Sequence, residues 1–235
     1  MPIDLIIFDC DGVLVDSEVI SCRAHATVLT RHGYPITKEQ VMHRFLGHSM
    51  RQAAREIEAE LGRKLPDDFH TEVYAEIFRS FAVSLEATPN IEVALTGISL
   101  PKCVASSGPP EKISASLNRV GLYERFAPHI FSAVQVKRGK PAPDLFLFAA
   151  EQMKALPERC IVIEDSVAGV TGARAAGMTV LGFHGGSHCT PAHGAALRAA
   201  GAHETFDDMR QLPGLIARYR SLVAGFPAPQ PISEP

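Results

Sequence analysis

Five short apolar runs recur along the chain: Leu5–Phe8, Cys103–Ser106, Ile130–Val134, Cys160–Glu164 and Thr179–Phe183. Each is bounded by Gly, Pro or Asp, and several are rich in Ile and Val. Continuous rather than alternating runs predict strands covered on both faces, as in a parallel sheet. Helical segments are predicted between them. Glu111–Val120 follows Pro109-Pro110 and stops at Gly121, with proline inside the start and glycine past the end. Pro143–Lys154 is a second helix, and Val167–Ala176 is a third that stops at Gly177. Alternating strands and helices predict an α/β fold, a right-handed, doubly wound parallel sheet.

One stretch breaks the alternation. From about Asp16 to Ala87 no strand pattern is present. Val19, Cys22, Ala26 and Leu29 recur at helical spacing. Thr37 with Gln40, and Ser49 with Gln52, have the spacing of capping boxes, and Gly62 reads as a helix stop. Residues 1–15 and 88–226 are therefore expected to form the α/β core, with residues 16–87 inserted as an all-helical cap. Ligands of open α/β sheets bind at the carboxyl ends of the strands, so such a cap would cover that site. The Pro-rich end, 227–235, is expected to be a disordered tail.

Composition narrows the function classes. The 235 residues carry a net charge of -3 and are 7% aromatic with no Trp, which argues against nucleic-acid partners. No apolar run approaches the ~18 residues of a membrane span. The opening MPIDLIIFDCDG lacks a basic segment and meets acids too early for a signal peptide. Five scattered cysteines without C-x-x-C predict no disulfide framework and a cytoplasmic setting. Cys10, Cys103 and Cys160 read as small core residues.

The chemistry-bearing residues lie just after the predicted strands. The first ends in Asp9-Cys10-Asp11-Gly12, where acids two apart share a side of the extended chain. The fourth ends in Glu164-Asp165-Ser166. Each also has a plain reading, D-G as a turn and Asp165 or Ser166 as a helix cap. Together they predict four carboxylates converging on one sheet edge, which calls for cationic compensation. Hard oxygen ligands of this kind suit Mg²⁺. Lys140, held between Gly139 and Pro141, offers a further positive charge. Ser106-Ser107-Gly108 before a helix offers a hydroxyl and backbone N–H groups to an anion.

The ordered set FDCDGVLVDSE, VASSG, GKPAPD and IEDSVAGV resembles the haloacid dehalogenase superfamily, in its branch with a helical cap after the first strand. The resemblance spans residues 1 to about 206 and implies a Rossmann-like core and a phosphohydrolase. It implies that Asp9 is the nucleophile forming an aspartyl-phosphate, and that Asp11 is the general acid–base with a raised pKa. Ser106 and the Ser107 amide would hold phosphoryl oxygens, and Lys140 would bridge phosphate and Asp9. Asp165, Asp9 and the Asp11 backbone carbonyl would bind Mg²⁺, with Glu164 binding it directly or through water. Dehalogenases of the superfamily lack an acid–base Asp where Asp11 stands, so phosphate chemistry is expected.

The expected substrate is a small phosphorylated metabolite, a sugar phosphate or a sugar-acid phosphate such as 6-phosphogluconate, taken by a monomer or weak homodimer. Substrate contacts are expected from the hinge and cap: Ser17, Glu18, Arg44, His48 and Arg51. A phosphosugar mutase is the alternative. Ser21 stands where such mutases carry His, and Met50 where they carry Arg, which favours a phosphatase. A phospho-accepting signalling or binding protein is the non-enzyme alternative. No motif residue is missing, which weighs against it. The remaining cluster, His184, His188, Cys189 and His193, has zinc-like spacing but falls in a Gly- and Pro-rich loop. It reads as a polar loop bordering the site rather than a metal centre.

Overall fold

We describe residues 3–45 and 50–224 of a computed structural model, leaving aside the side chains of residues 50–52 and 222–224. The chain runs β1 (Leu5–Phe8), α1 (Glu18–Arg31), α2 (Lys38–Phe45), α3 (Met50–Leu61) and α4 (Phe69–Ser84). It continues through α5 (Ile91–Gly97), β2 (Lys102–Ser106), α6 (Pro110–Arg119), β3 (Ile130–Ser132), α7 (Asp144–Gln152) and β4 (Cys160–Glu164). It ends with α8 (Val167–Ala175), β5 (Thr179–Phe183), α9 (His193–Ala199), β6 (Glu204–Phe206) and α10 (Leu212–Ala224). The strands form one six-stranded sheet in the order β3-β2-β1-β4-β5-β6, every pair parallel. β1 is central, and the chain winds outward from it in both directions, the doubly wound arrangement.

Two-residue periodicity divides the strands between two cores. Ile6, Phe8, Val104, Ile161, Ile163, Leu181 and Phe183 face one side, packed with Ile91, Ile113 and Leu117. Leu5, Ile7, Cys103, Cys160, Val162 and Val180 face the other, packed with Leu145, Phe146, Ala149, Val170 and Ala173. Both faces are covered, which is why the strands read as continuous apolar runs. All five cysteines are free thiols.

The predicted elements need local correction. β3 stops at Ser132, because Ala133–Gln135 turns into a 3-10 helix capped by Ser132. α7 ends at Gln152, followed by Lys154 with φ +55°. β6, on the sheet edge, has only Phe206 fully buried and gave no apolar run. The capping box at Thr37 forms, with Gln40 N donating to Thr37 Oγ1 and Thr37 N donating to Gln40 Oε1. The box at Ser49 and the tail lie outside the described residues.

The helices α1–α4 all lie between β1 and β2. Val28, Leu29, Phe69, Val73, Ile77 and Phe81 pack them into a core continuous with one face of the sheet. The chain leaves and returns through two adjacent segments that bridge antiparallel at Val15 and Ala87. Asp16 N donates to the Glu86 carbonyl at 3.1 Å, and Thr88 N donates to the Leu14 carbonyl at 3.0 Å. Among the described residues, no helix is long and apolar enough to cross a membrane.

Candidate functional site

Register places the chemistry. Phe8 pairs with Val104 on one side and Ile163 on the other, so β1, β2 and β4 bring their carboxyl ends to one edge, β2 running on to Ser106 and β4 to Glu164. Asp9 N donates to the Ile163 carbonyl at 3.0 Å, which sets Asp9 beside Glu164. Carboxylate oxygens of Asp9, Glu164 and Asp165 lie within 4.8 Å of one another, and all three residues are buried. Their close approach depends on two glycines. A Cβ on Gly12, whose φ is +76°, would lie 1.9 Å from Asp165 Oδ2. A Cβ on Gly169 would lie 1.8 Å from Glu164 Oε1.

Lys140 supplies part of the needed positive charge. Its Nζ stands 2.9 Å from Asp9 Oδ1 and 2.5 Å from Glu164 Oε1, with the side chain only 3% exposed. The amine is aligned to donate to Glu164 but not to Asp9, so Asp9 Oδ1 is buried with a Coulombic neighbour and no hydrogen bond. Glu164 Oε2 accepts from Ser166 N and Oγ, both at 2.9 Å. Burial pushes the Asp9 carboxyl well above its ordinary range; Lys140 opposes this, and Glu164 and Asp165 add to it. The two anions raise the Lys140 ammonium despite its burial. Three convergent carboxylates, one ammonium and an oxygen without a donor fit a hard divalent cation such as Mg²⁺, which takes oxygen ligands.

Asp11 differs from the sequence expectation in two ways. Its carboxylate is not part of the three-acid group; it turns to Ser17 and Lys112 instead. Ser17 Oγ donates to Asp11 Oδ1 at 2.5 Å, and Lys112 Nζ stands 2.7 Å from the same oxygen. The raised pKa expected of Asp11 is therefore corrected. Burial pushes it up, but the Lys112 charge, with hydrogen bonds from Lys112 and Ser17, outweighs burial and holds it below the ordinary value. Lys112 projects from the first turn of α6 and also lies 5.8 Å from the Phe81 ring of α4. Glu18 opens α1 beside this group. Burial, then the Asp11 charge, lift it to about 7.

Ser106 ends β2 fully buried, and its Oγ accepts from Gly108 N at 3.2 Å. Ser132 Oγ fixes the same turn by donating to the Gly108 carbonyl at 2.6 Å, while Ser107 is exposed. The loop after β5 closes the other side. Ser187 donates through N and Oγ to Asp16 Oδ1, at 3.3 and 2.8 Å. His188 Nε2 lies 3.1 Å from Asp165 Oδ2. Burial works against charging His188, but hydrogen bonding to Asp165 and Cys189 overrides it and lifts the imidazole to about 11.

The structure thus brings Asp9, Glu164, Asp165 and Lys140 into one cluster, with Asp11 and Ser17 alongside. Arg44 is not brought there. Its guanidinium pairs with Glu60 and with Tyr34 OH and lies 4.7 Å from the Phe45 ring, all within the helical insert. His48 and the side chain of Arg51 lie outside the described residues. Sequence reading missed Lys112 and set His188 aside. Lys112 has a signal in hindsight: a lysine one helical turn past S-S-G is carried back over the strand ends.

A family model described as haloacid dehalogenase-like hydrolase matches residues 3–177. The 6-phosphogluconate phosphatase of Escherichia coli (strain K12) is 37% identical over 190 residues, covering 80% of this chain and 86% of its own. The phosphorylated carbohydrates phosphatase of Thermotoga maritima is 32% identical over 184 residues, covering 74% of this chain and 82% of its own. Among solved structures, a conserved haloacid dehalogenase-like protein of Agrobacterium tumefaciens str. C58 superposes with a TM-score of 0.83 at 39% identity, covering 92% of this chain and 99% of that one. The strand-end carboxylates, the buried lysine and these matches agree: the chain belongs to the haloacid dehalogenase-like hydrolase family.

Proposed function

We propose that this hydrolase is a Mg²⁺-dependent phosphatase of small phosphorylated sugars or sugar acids, working through an aspartyl-phosphate on Asp9. The observation that carries this reading is the buried Asp9–Lys140–Glu164 cluster, in which a carboxylate is set against an ammonium at a strand edge. A carboxylate attacks a phosphate dianion poorly because like charges repel. Lys140 offsets that repulsion and stabilises the charge on the equatorial oxygens. Bound at Asp9, Asp165 and Glu164, Mg²⁺ would supply further positive charge to the transferring phosphoryl group.

In the first step the Asp9 carboxylate attacks phosphorus and the sugar oxygen leaves, taking a proton from Asp11. In the second, Asp11 takes a proton from the water that attacks the aspartyl-phosphate. Lys112 keeps Asp11 ionised at rest, ready for that second role. Substrate negative charge opposes Lys112 and shifts Asp11 towards the protonated form the first role needs. Ser106 and the Ser107 amide bind phosphoryl oxygens at the end of β2 and the start of α6.

We assign residues 16–87 to a cap and the paired segments at Val15 and Ala87 to its hinge. Closure over the strand ends excludes bulk water from the aspartyl-phosphate until Asp11 delivers one. Glu18, partly exposed beside Asp11, would contact the substrate, and Ser17, buried with its hydroxyl on Asp11, would act through that carboxylate. Five free thiols fit a cytoplasmic setting. The names of the two curated relatives support phosphorylated carbohydrates as the substrate class.

The test is phosphate release from a panel of phosphorylated sugars and sugar acids, including 6-phosphogluconate, with Mg²⁺ and with EDTA. Release from one or a few members, abolished by EDTA, is expected. Conversion of β-glucose 1-phosphate to the 6-phosphate without release would replace the phosphatase with a mutase.

A further inference from the structure

A second group of metal-type donors lies beside the carboxylates, on the loop between β5 and α9. His188, Cys189 and His193 each bring one donor atom within 4.8 Å of the other two. His184, which completes the spacing in sequence, is not among them; it packs against Gly194. Cys189 Sγ lies 3.4 Å from His188 Nε2. Tetrahedral zinc, with Zn–S of about 2.3 Å and Zn–N of about 2.0 Å, sets its sulfur and nitrogen ligands about 3.5 Å apart.

His193 is oriented as a ligand. Its Nε2 lies 2.5 Å from the Asp165 backbone oxygen. A carbonyl only accepts, so Nε2 carries the proton and Nδ1 carries the lone pair. A ligating imidazole held by a carbonyl at its other nitrogen is the usual arrangement around bound metals. His188 Nε2 meanwhile faces both Cys189 Sγ and Asp165 Oδ2, two acceptors when ionised. A proton or a cation can stand between them, and His193 converges on Cys189 as well. The loop itself is fixed, because Ser187 is tied to Asp16 at the hinge and His193 stands on the first turn of α9.

We propose that His188, Cys189 and His193 form a second metal site for a borderline-soft divalent cation of the zinc class. Two imidazoles and a thiolate select such ions over Mg²⁺, which prefers oxygen. Asp165 lies between the two sites, its side-chain Oδ2 against His188 and its backbone oxygen against His193. The fourth position of a tetrahedral ion is open to that carboxylate or to water.

The probe is Co²⁺, titrated into tag-free, chelator-stripped full-length protein in excess Mg²⁺ and read by absorbance. One equivalent should bind with a sulfur-to-cobalt charge-transfer band and the intense d–d bands of tetrahedral cobalt, and Zn²⁺ should erase both. Cys189→Ser should lose the charge-transfer band. His193→Gln, which keeps the thiol, should weaken Co²⁺ binding by more than about tenfold, as lost ligand support does at metal sites. Asp9→Asn should leave the spectrum unchanged. A missing charge-transfer band, a band that survives Cys189→Ser, or one lost in Asp9→Asn overturns the proposal.

Discussion

Lys112 holds its ammonium 2.7 Å from Asp11 Oδ1, joining the first turn of α6 to the loop that follows β1. Asp11 is left with a single neutral donor, Ser17, if that lysine is removed. A charge-assisted hydrogen bond contributes about 1.5–3 kcal/mol, equivalent to roughly ten- to hundredfold in rate. Lys112→Met is predicted to lower kcat by that factor, and Lys112→Arg to restore part of it. Steady-state kinetics on the preferred substrate decides; full activity in Lys112→Met would mean that the pair is structural.

Lys140 compensates two buried carboxylates at once. Removing one partner of a buried ion pair costs about 3–5 kcal/mol, and proton uptake by Asp9 lessens that cost. Lys140→Met is predicted to be inactive and less stable, with Mg²⁺ raising its Tm by more than it raises the wild-type Tm. An equal Mg²⁺ effect on both proteins would place the cation away from Asp9 and Glu164.

Gly12 is conformationally and sterically constrained. A left-handed residue with a Cβ costs about 1–2 kcal/mol, and here the Cβ would also displace Asp165 Oδ2, 1.9 Å away. Gly12→Ala should therefore raise the Mg²⁺ concentration that gives half-maximal activity. Activity measured against Mg²⁺ gives the answer, and an unchanged midpoint would show that Asp165 does not govern metal binding.

Two groups make stability depend on pH with opposite signs. Burial and the Asp11 charge raise Glu18 to about 7 in the fold, so its ionisation opposes folding: stability is lost as pH rises from the unfolded Glu value, about 4.3, through 7. Burial lowers His25, so the unfolded chain binds its proton first, and stability is lost as pH falls below about 6.5. Glu18→Gln is predicted to raise Tm at pH 8 and leave it unchanged near pH 4. Equal shifts at both pH values would show that packing, not charge, is responsible.

Much of this was legible because the signals were local. Continuous apolar runs marked five strands, and the motif residues follow their carboxyl ends, where parallel pairing gathers them without further information. The failures came from partners brought in by tertiary structure. Asp11 was expected to be raised because only acids were visible near it; its cation arrives from a helix a hundred residues away. β6 escaped because an edge strand of three residues needs no apolar run. The loop after β5 was expected to border the site, and it does, with Ser187 on Asp16 and His188 on Asp165. The convergence of His188, Cys189 and His193 was not legible because it depends on the turn into α9.

The most direct test of the central claim is Asp9→Asn, assayed for turnover and for Tm. The amide keeps the shape of the side chain but is no nucleophile, and it no longer needs a charge buried among Glu164 and Asp165. Turnover should fall below detection while Tm stays equal to or above that of the wild type, as expected when catalysis holds an unfavourable buried charge. Retained phosphate release in a correctly folded Asp9→Asn protein would contradict covalent catalysis at Asp9.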